Sequence, residues 1–216
     1  MEKTLYSLML SDEVVRAVDG TARRMGLSRS ALVNQILADY VSVPTPERRI
    51  QEIFQAVEEL VGPSQALVPF FAPNSPVLSL KSSLTYKYRP TVKYEVELGS
   101  PGETAMGTLS VIFRTQSPAL VAALSDFFRL WVRIENEFLA PALGAPIECA
   151  LYDGKFVRPL AVPDAPGCTA SEIAGALSDY IQLFDRQLKG RLSGELSAAA
   201  VERAYRADLE RRTLLI

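Results

Sequence analysis

The chain contains no histidine, and its two cysteines, Cys149 and Cys168, stand apart from each other. Histidine is the usual base for serine and cysteine nucleophiles and the commonest transition-metal ligand. Cysteines so isolated form neither a zinc motif nor a disulfide framework, and we expect two free thiols. No phosphate-binding glycine loop, nucleophile elbow or telling pair of carboxylates accompanies them. The sequence predicts a protein that is not an enzyme and needs no metal or cofactor.

The bulk composition is that of an ordinary folded protein, with 216 residues, 48% hydrophobic, 22% charged and a net charge of -2. No apolar run approaches the roughly 20 residues of a membrane-spanning helix, and the N-terminal MEKTLYSLMLSDE lacks the pattern of a signal peptide. We therefore expect a cytoplasmic location and no membrane partner. The net charge argues against general coating of nucleic acid, although a small DNA-reading unit on a larger body would be hidden in that average.

The start of the chain has a two-residue period that favours a short strand over residues 4–10, TLYSLML. The period separates two sets of side chains that point to opposite faces. One set is Tyr6, Leu8 and Leu10, and the other is Leu5, Ser7 and Met9.

Two short helices are predicted to follow this strand. Ser11 is a good N-cap for DEVVRAVDGTARRM, and Gly26 ends that helix. Ser28 then caps RSALVNQILADYV, which carries an apolar stripe. About 45 residues with a single strand cannot complete a core alone, so a partner chain must supply the other half.

The order of these elements and several residues resemble the ribbon-helix-helix (Arc/MetJ/CopG) family. The most specific part is the run Gly26-Leu27-Ser28-Arg29-Ser30, followed by Leu32 and Val33, and the SDE helix start and Ala22 fit as well. The resemblance covers only the N-terminal part of the chain. It implies an intertwined β-α-α dimer whose two strands form an antiparallel ribbon in the DNA major groove.

The resemblance also implies a role for individual side chains. Leu5, Ser7 and Met9 would face the bases. The family more often has polar residues there, and Leu5 and Met9 can contact thymine methyl groups but cannot make bidentate hydrogen bonds. The phosphate contacts would be Lys3 and, at the N-terminus of the second helix, Ser28, Arg29 and Ser30. The dimer core would contain Tyr6, Leu8, Leu10, Leu32 and Ile36.

The rest of the chain is predicted to be a connector and a larger domain. Residues 1–43 would be the DNA-binding domain, 44–62 a connector helix with an apolar side, and 63–216 an α+β domain for oligomerisation or sensing. Residues 63–78 are predicted to form a loop held by Phe70 and Phe71, with a lid as the alternative interpretation.

The predicted α+β domain has a small antiparallel sheet covered by long helices. Alternation from residue 83, through Leu84, Tyr86 and Tyr88, and again over 92–98 and 104–115 predicts a three-stranded meander. A helix capped by Ser117 has a heavy apolar face, and a hairpin turns at Asp153-Gly154. A helix with a Thr169/Glu172 capping box runs to about residue 189, and a final helical segment ends in a docked LLI.

The aromatic residues of this domain have two interpretations. Tyr86, Tyr88, Tyr94, Phe127, Phe128 and Trp131 either form the core between sheet and helix or line a pocket for a small-molecule effector. The core is the commoner use of such spacing.

Three functions fit the whole sequence. The first is a sequence-specific transcriptional repressor that binds operator DNA as a homodimer or higher homo-oligomer. The second is an antitoxin or a plasmid or phage accessory protein whose C-terminal domain binds a protein partner. The third is a protein outside nucleic-acid work, in which the ribbon is only a dimerisation clasp.

Overall fold

The computed structural model describes residues 5–41, 43, 45–70, 77–86, 89–99, 107–161 and 168–216. These residues form an α+β structure with an antiparallel sheet, as predicted for the C-terminal part. The helices are α1 (Asp12–Met25), α2 (Arg29–Tyr40), α3 (Pro46–Val61), α4 (Pro118–Phe138), α5 (Ala140–Leu143), α6 (Ala170–Leu192) and α7 (Ala198–Leu209). The strands are β1 (Val68–Pro69), β2 (Val77–Ser83), β3 (Thr91–Leu98), β4 (Gly107–Phe113), β5 (Ala150–Tyr152) and β6 (Lys155–Pro159).

The strand predicted over residues 4–10 is not formed. Residues 5–10 have no regular secondary structure, the first element is helix α1, and residue 4 lies outside the described residues. A strand exists only where its backbone groups meet a neighbouring strand, and no described strand of this chain pairs with residues 5–10. The ribbon of the predicted fold is therefore absent from the single chain.

The sheet has the strand order β1-β2-β3-β4-β6-β5, with antiparallel neighbours throughout. The predicted hairpin at Asp153-Gly154 is confirmed as β5–β6, and it joins the sheet where β6 pairs with β4. Gly154 adopts a positive φ of 69°, and an added Cβ would lie 2.9 Å from the main-chain oxygen of Phe113. Glycine is required at this turn by both conformation and space.

Replacing Gly154 with alanine is expected to destabilise the protein by about 1–2 kcal/mol, the usual cost of the left-handed conformation for other residues. Urea unfolding would measure the change. Gly175→Ala is the matched control, because Gly175 lies in α6 with no atom within 4 Å of an added Cβ, so this change should be neutral or stabilising. Equal stability of the two variants would contradict the steric argument.

The structure corrects the sequence analysis over residues 63–89. The segment predicted as a loop contains β1 and the first two residues of β2, and β1 pairs with Leu80 and Lys81 further along β2. The strand predicted from residue 83 is not formed among the described residues, since β2 ends at Ser83 and Arg89 adopts a positive φ of 43° before Pro90. Proline lacks a backbone N–H and cannot continue a ladder, so the alternation through Leu84 and Tyr86 does not extend a strand. Tyr88, Lys87 and Phe71 lie outside the described residues.

The helices of the larger part form as predicted. Ser117 caps α4, and Thr169 and Glu172 form the capping box of α6, which extends to Leu192. In α3, the apolar side packs into the core except for Leu60, which is exposed. Ile216 is fully buried, so the apolar tail is docked.

Helices α4 and α6 cover one face of the sheet. Phe128 of α4 stacks on Phe156 of β6 with ring centroids 4.8 Å apart, and Phe127 meets Phe184 of α6 edge-on at 5.3 Å. Tyr94, Phe127, Phe128 and Trp131 all belong to this core, which confirms the core interpretation for these residues. Tyr86 is half-buried against the same core.

Candidate nucleic-acid interface

Residues 5–10 lie exposed ahead of α1, with an alternating degree of exposure. Leu5 and Met9 are about fully exposed, at 96% and 102%, whereas Leu8 and Leu10 are 49% and 45% exposed. Ser7 is also exposed, and Tyr6 is exposed at 81%. The predicted base-facing residues Leu5, Ser7 and Met9 therefore have free side chains, while Leu8 and Leu10 on the other face are partly covered.

The predicted dimer core is incomplete in the single chain. Leu32 packs against the rest of the chain with 4% of its surface exposed, and Ala22 of α1 is similarly buried. Ile36, one turn further along α2, is 49% exposed. A single copy thus buries one side of α2 and leaves the next turn of its apolar stripe open.

Exposed apolar side chains are concentrated at the N-terminus. Among the residues that the structure describes, eleven of the sixteen large exposed hydrophobic side chains lie between residues 5 and 43. In contrast, of the residues described up to position 43, only Ala22, Leu32 and Ala38 are buried. Such a concentration of exposed apolar side chains in one segment is typical of an interaction site in a folded protein. We call residues 5–43 the head.

The N-terminus of α2 is open to solvent. Ser28 caps the helix, with its Oγ accepting a hydrogen bond of 3.2 Å from the backbone N–H of Ala31. Arg29 and Ser30, in the first turn, are exposed. The unpaired N–H groups and the helix dipole make such an end favourable for an anion. Lys3, the remaining predicted phosphate contact, lies outside the described residues.

Arg29 is held by Asp19 of α1. Its Nε donates to Oδ1 and its Nη2 to Oδ2, both at 2.5 Å, so the contact is bidentate. The hydrogen bonds from Arg29 lower the pKa of the Asp19 carboxyl, so Asp19 carries its negative charge at neutral pH. Sequence analysis missed Asp19, because the ten-residue separation becomes a contact only when α1 and α2 pack.

Comparison with known proteins adds no relative. No family model, curated protein or solved structure matches the chain.

Ion pairs and a hydrogen bond connect the head to the rest of the chain. Arg48, in the first turn of α3, pairs with Asp39 of α2 and, at 3.0 Å, with Glu52. The neighbouring Arg49 donates from Nη2 to the main-chain oxygen of Cys168 at 2.9 Å, directly before α6. Helix α3 thus makes polar contacts with both the head and the part of the chain that follows it, residues 62–216, which we call the body.

The body contains a buried polar cluster that the sequence analysis also missed. Glu135 of α4 and Arg158 of β6 are both fully buried and pair at 3.1 Å. Glu135 also accepts from Tyr180 Oη at 2.9 Å, and Arg158 donates to the main-chain oxygen of Ile216 at 2.7 Å. Burial raises the pKa of Tyr180 well above its ordinary value, which keeps its hydroxyl proton available for Glu135. The cluster joins α4, β6, α6 and the tail.

The body contains both cysteines of the chain. Both cysteines are free, as predicted, and burial raises the pKa of the Cys149 thiol to about 12, so it stays a thiol at neutral pH. Within the described ranges, no group of three or more acidic or cysteine side chains is placed to hold a metal ion. In the same ranges, no helix has both the length and the apolarity needed to cross a bilayer.

Proposed function

We propose that this protein is a sequence-specific DNA-binding transcriptional regulator, a repressor, that works as a homodimer through its head. The observation that carries the proposal is the exposed apolar surface of residues 5–43 beside a capped and open helix N-terminus. A second copy of the chain could cover the exposed apolar surface, and the helix N-terminus could bind a phosphate. These two features occur together in a segment long enough for one strand, residues 5–10, followed by two helices. This combination supports the ribbon-helix-helix interpretation.

The dimer is supported by the size and exposure of the head. Tyr6 is mostly exposed in one chain, and Leu8, Leu10 and Ile36 are about half exposed. Fully burying an exposed apolar side chain of this size contributes about 1.5–3 kcal/mol, so the exposed part of each still offers a gain to a partner copy. Pairing residues 4–10 of two copies would supply the backbone partner that each segment lacks. A two-fold axis would then bring the same apolar surface of each copy together.

DNA is supported as the partner by the two polar features that a dimer leaves outside. An antiparallel two-stranded ribbon fits the major groove, where Ser7 can hydrogen-bond to a base edge and Leu5 and Met9 can contact thymine methyl groups. Arg29 and Ser30 beside the open end of α2 would fix the ribbon by contacting the phosphate backbone. In this proposal the body sets the dimer geometry or senses a signal, and its effector, if one exists, is not specified.

A test of the phosphate site is the Ser28→Asp variant. Aspartate caps helices as well as serine does, so α2 should keep its stability while a negative charge replaces a hydroxyl beside the phosphate. We expect DNA affinity to fall at least about fivefold, since like charges about 4 Å apart repel by about 1 kcal/mol even in water. Fluorescence anisotropy with the upstream DNA of its own gene measures the affinity.

The matched control is Ser197→Asp. Ser197 caps α7 in the body and accepts from the backbone N–H of Ala200 at 3.2 Å, as Ser28 does from Ala31. Its replacement adds the same charge and should leave DNA affinity within about twofold, since charges beyond a Debye length of about 10 Å are screened. Equal losses in both variants would show only a charge effect and would contradict a contact at Ser28.

The proposal as a whole is tested by the wild-type protein with upstream DNA and with scrambled DNA of the same length, over a salt series. A repressor should prefer the upstream sequence, and its affinity should fall as salt rises. No selective binding at any salt concentration would refute the DNA proposal. It would favour a dimerisation clasp or a protein-binding head, and the apolar side chains of Leu5 and Met9 would fit either of these.

A further inference from the structure

The ion pair between Arg29 and Asp19 occupies the guanidinium that the proposed function assigns to DNA phosphate. An arginine has five N–H donors, and Asp19 takes two of them through both carboxylate oxygens. This fork arrangement is the one in which arginine also binds phosphate. A carboxylate of the chain itself therefore holds the donor edge that phosphate would use.

The contact is open enough to be exchanged. The Arg29 side chain is 58% exposed and that of Asp19 is 28% exposed. Exposed ion pairs contribute little to stability, so little opposes their opening. When the rest of the head places a nucleic-acid phosphate beside α2, that phosphate can compete with the Asp19 carboxylate for the guanidinium of Arg29.

We infer that Asp19 is an internal competitor for DNA phosphate at Arg29 and so limits how tightly the head binds any DNA sequence. This inference rests on the proposed function. On DNA binding, the guanidinium exchanges the Asp19 carboxylate for a phosphate, and the freed carboxylate remains close to the DNA as a repelling charge. Phosphate contacts carry no sequence information, so Asp19 lowers operator and non-specific affinity alike.

A salt series distinguishes this exchange from an ordinary phosphate contact. An arginine whose charge is not neutralised releases counterions from DNA, and each such contact steepens the dependence of log affinity on log salt by about 0.9. In the wild type, Asp19 already neutralises the charge of Arg29 before DNA binds, so Arg29 contributes less to the salt dependence of DNA affinity. Asp19→Asn removes the competing charge and leaves a side chain of the same shape.

The experiment measures wild type, Asp19→Asn, Arg29→Ala and the double variant by fluorescence anisotropy on upstream and scrambled DNA. Asp19→Asn is expected to bind both DNAs about three- to tenfold more tightly, with a slope steeper by up to about 0.9 for each copy in the dimer and an unchanged preference between them. The double variant should bind like Arg29→Ala, because no guanidinium remains to be released. Circular dichroism checks that each variant is folded.

Glu13→Gln is the matched control, since it removes one negative charge from the same helix. Glu13 is exposed and makes no ion pair with any residue that the structure describes. Equal gains from Glu13→Gln and Asp19→Asn would overturn the inference, and so would wild-type binding that Asp19→Asn leaves unchanged or weakens. Absence of binding by all the proteins would instead overturn the proposed function, and this inference with it.

Discussion

The Ile36→Glu variant is expected to lose the head dimer and DNA binding together. Ile36 lies on α2 with about half of its surface open, one turn beyond the buried Leu32. In a two-fold dimer each substitution counts twice, and losing about 1 kcal/mol of apolar burial per copy, for a side chain already half covered, weakens the dimer on the order of thirtyfold. The two new carboxylates would also face each other across the axis.

Sedimentation equilibrium and DNA-binding anisotropy would measure these two effects. Asn34→Asp is the matched control, because Asn34 is exposed on the same helix and gains the same charge in an isosteric side chain. It should remain dimeric. A variant Ile36→Glu that still dimerises but no longer binds DNA would assign oligomerisation to the body, whereas unchanged DNA binding would contradict a dimeric head.

The second large effect is expected at the buried ion pair of the body. Arg158→Ala leaves the Glu135 carboxylate charged and buried without its cation, and breaking such a pair typically costs about 3–5 kcal/mol. Urea unfolding can be followed by fluorescence, because Trp131 is the single tryptophan of the chain and packs beside the cluster, donating to Tyr180 Oη at 2.9 Å.

Two further variants show whether the cost comes from the lone charge. Arg129→Ala removes an exposed arginine of α4, paired with Asp126 at 3.3 Å, and should change stability by no more than about 0.5 kcal/mol. The double variant Glu135→Leu/Arg158→Met removes both charges and should recover part of the stability lost in Arg158→Ala. A double variant less stable than Arg158→Ala would contradict the lone-charge explanation.

The parts of the fold that were predicted from the sequence depend on local chemistry. N-cap serines and threonines, the Thr169/Glu172 box and the glycine of the Asp153-Gly154 turn act within a few residues of their position, so neighbouring sequence suffices to find them. The apolar face of α4 was predicted for the same reason, because helical spacing is a local property.

The missed parts depend on contacts between distant segments. Strand β2 was missed because serines occupy buried positions on both of its faces, Ser82 on one and Ser79 on the other. Its sequence therefore does not alternate between apolar and polar residues. The ladder with β3 and the cover of neighbouring side chains bury these serines, and neither is visible in a ten-residue window. The ribbon strand was predicted wrongly for the opposite reason: residues 5–10 have a suitable pattern, but none of the strands that the structure describes pairs with them.

The candidate site and the buried cluster also contain parts that local sequence predicts and parts that depend on distant contacts. Ser28 and its cap follow from local pattern, whereas the Arg29–Asp19 pair requires α1 to pack on α2. The sequence does contain one indication that Glu135 is buried, because Glu135 lies on the same helical stripe as Leu124, Phe128 and Trp131. A charged residue on an otherwise apolar stripe needs a buried partner, but the sequence does not name Arg158 as that partner.

The most direct test of a dimeric major-groove reader is a dimethyl sulphate footprint of the wild-type protein on the upstream DNA of its own gene, because the reagent reads guanine N7 in the major groove. A dimeric head in the major groove should protect guanines in two symmetric half-sites, with protection lost in Ile36→Glu and kept in Asn34→Asp. Uniform reactivity along DNA that the protein demonstrably binds, or protection unaffected by Ile36→Glu, would contradict it.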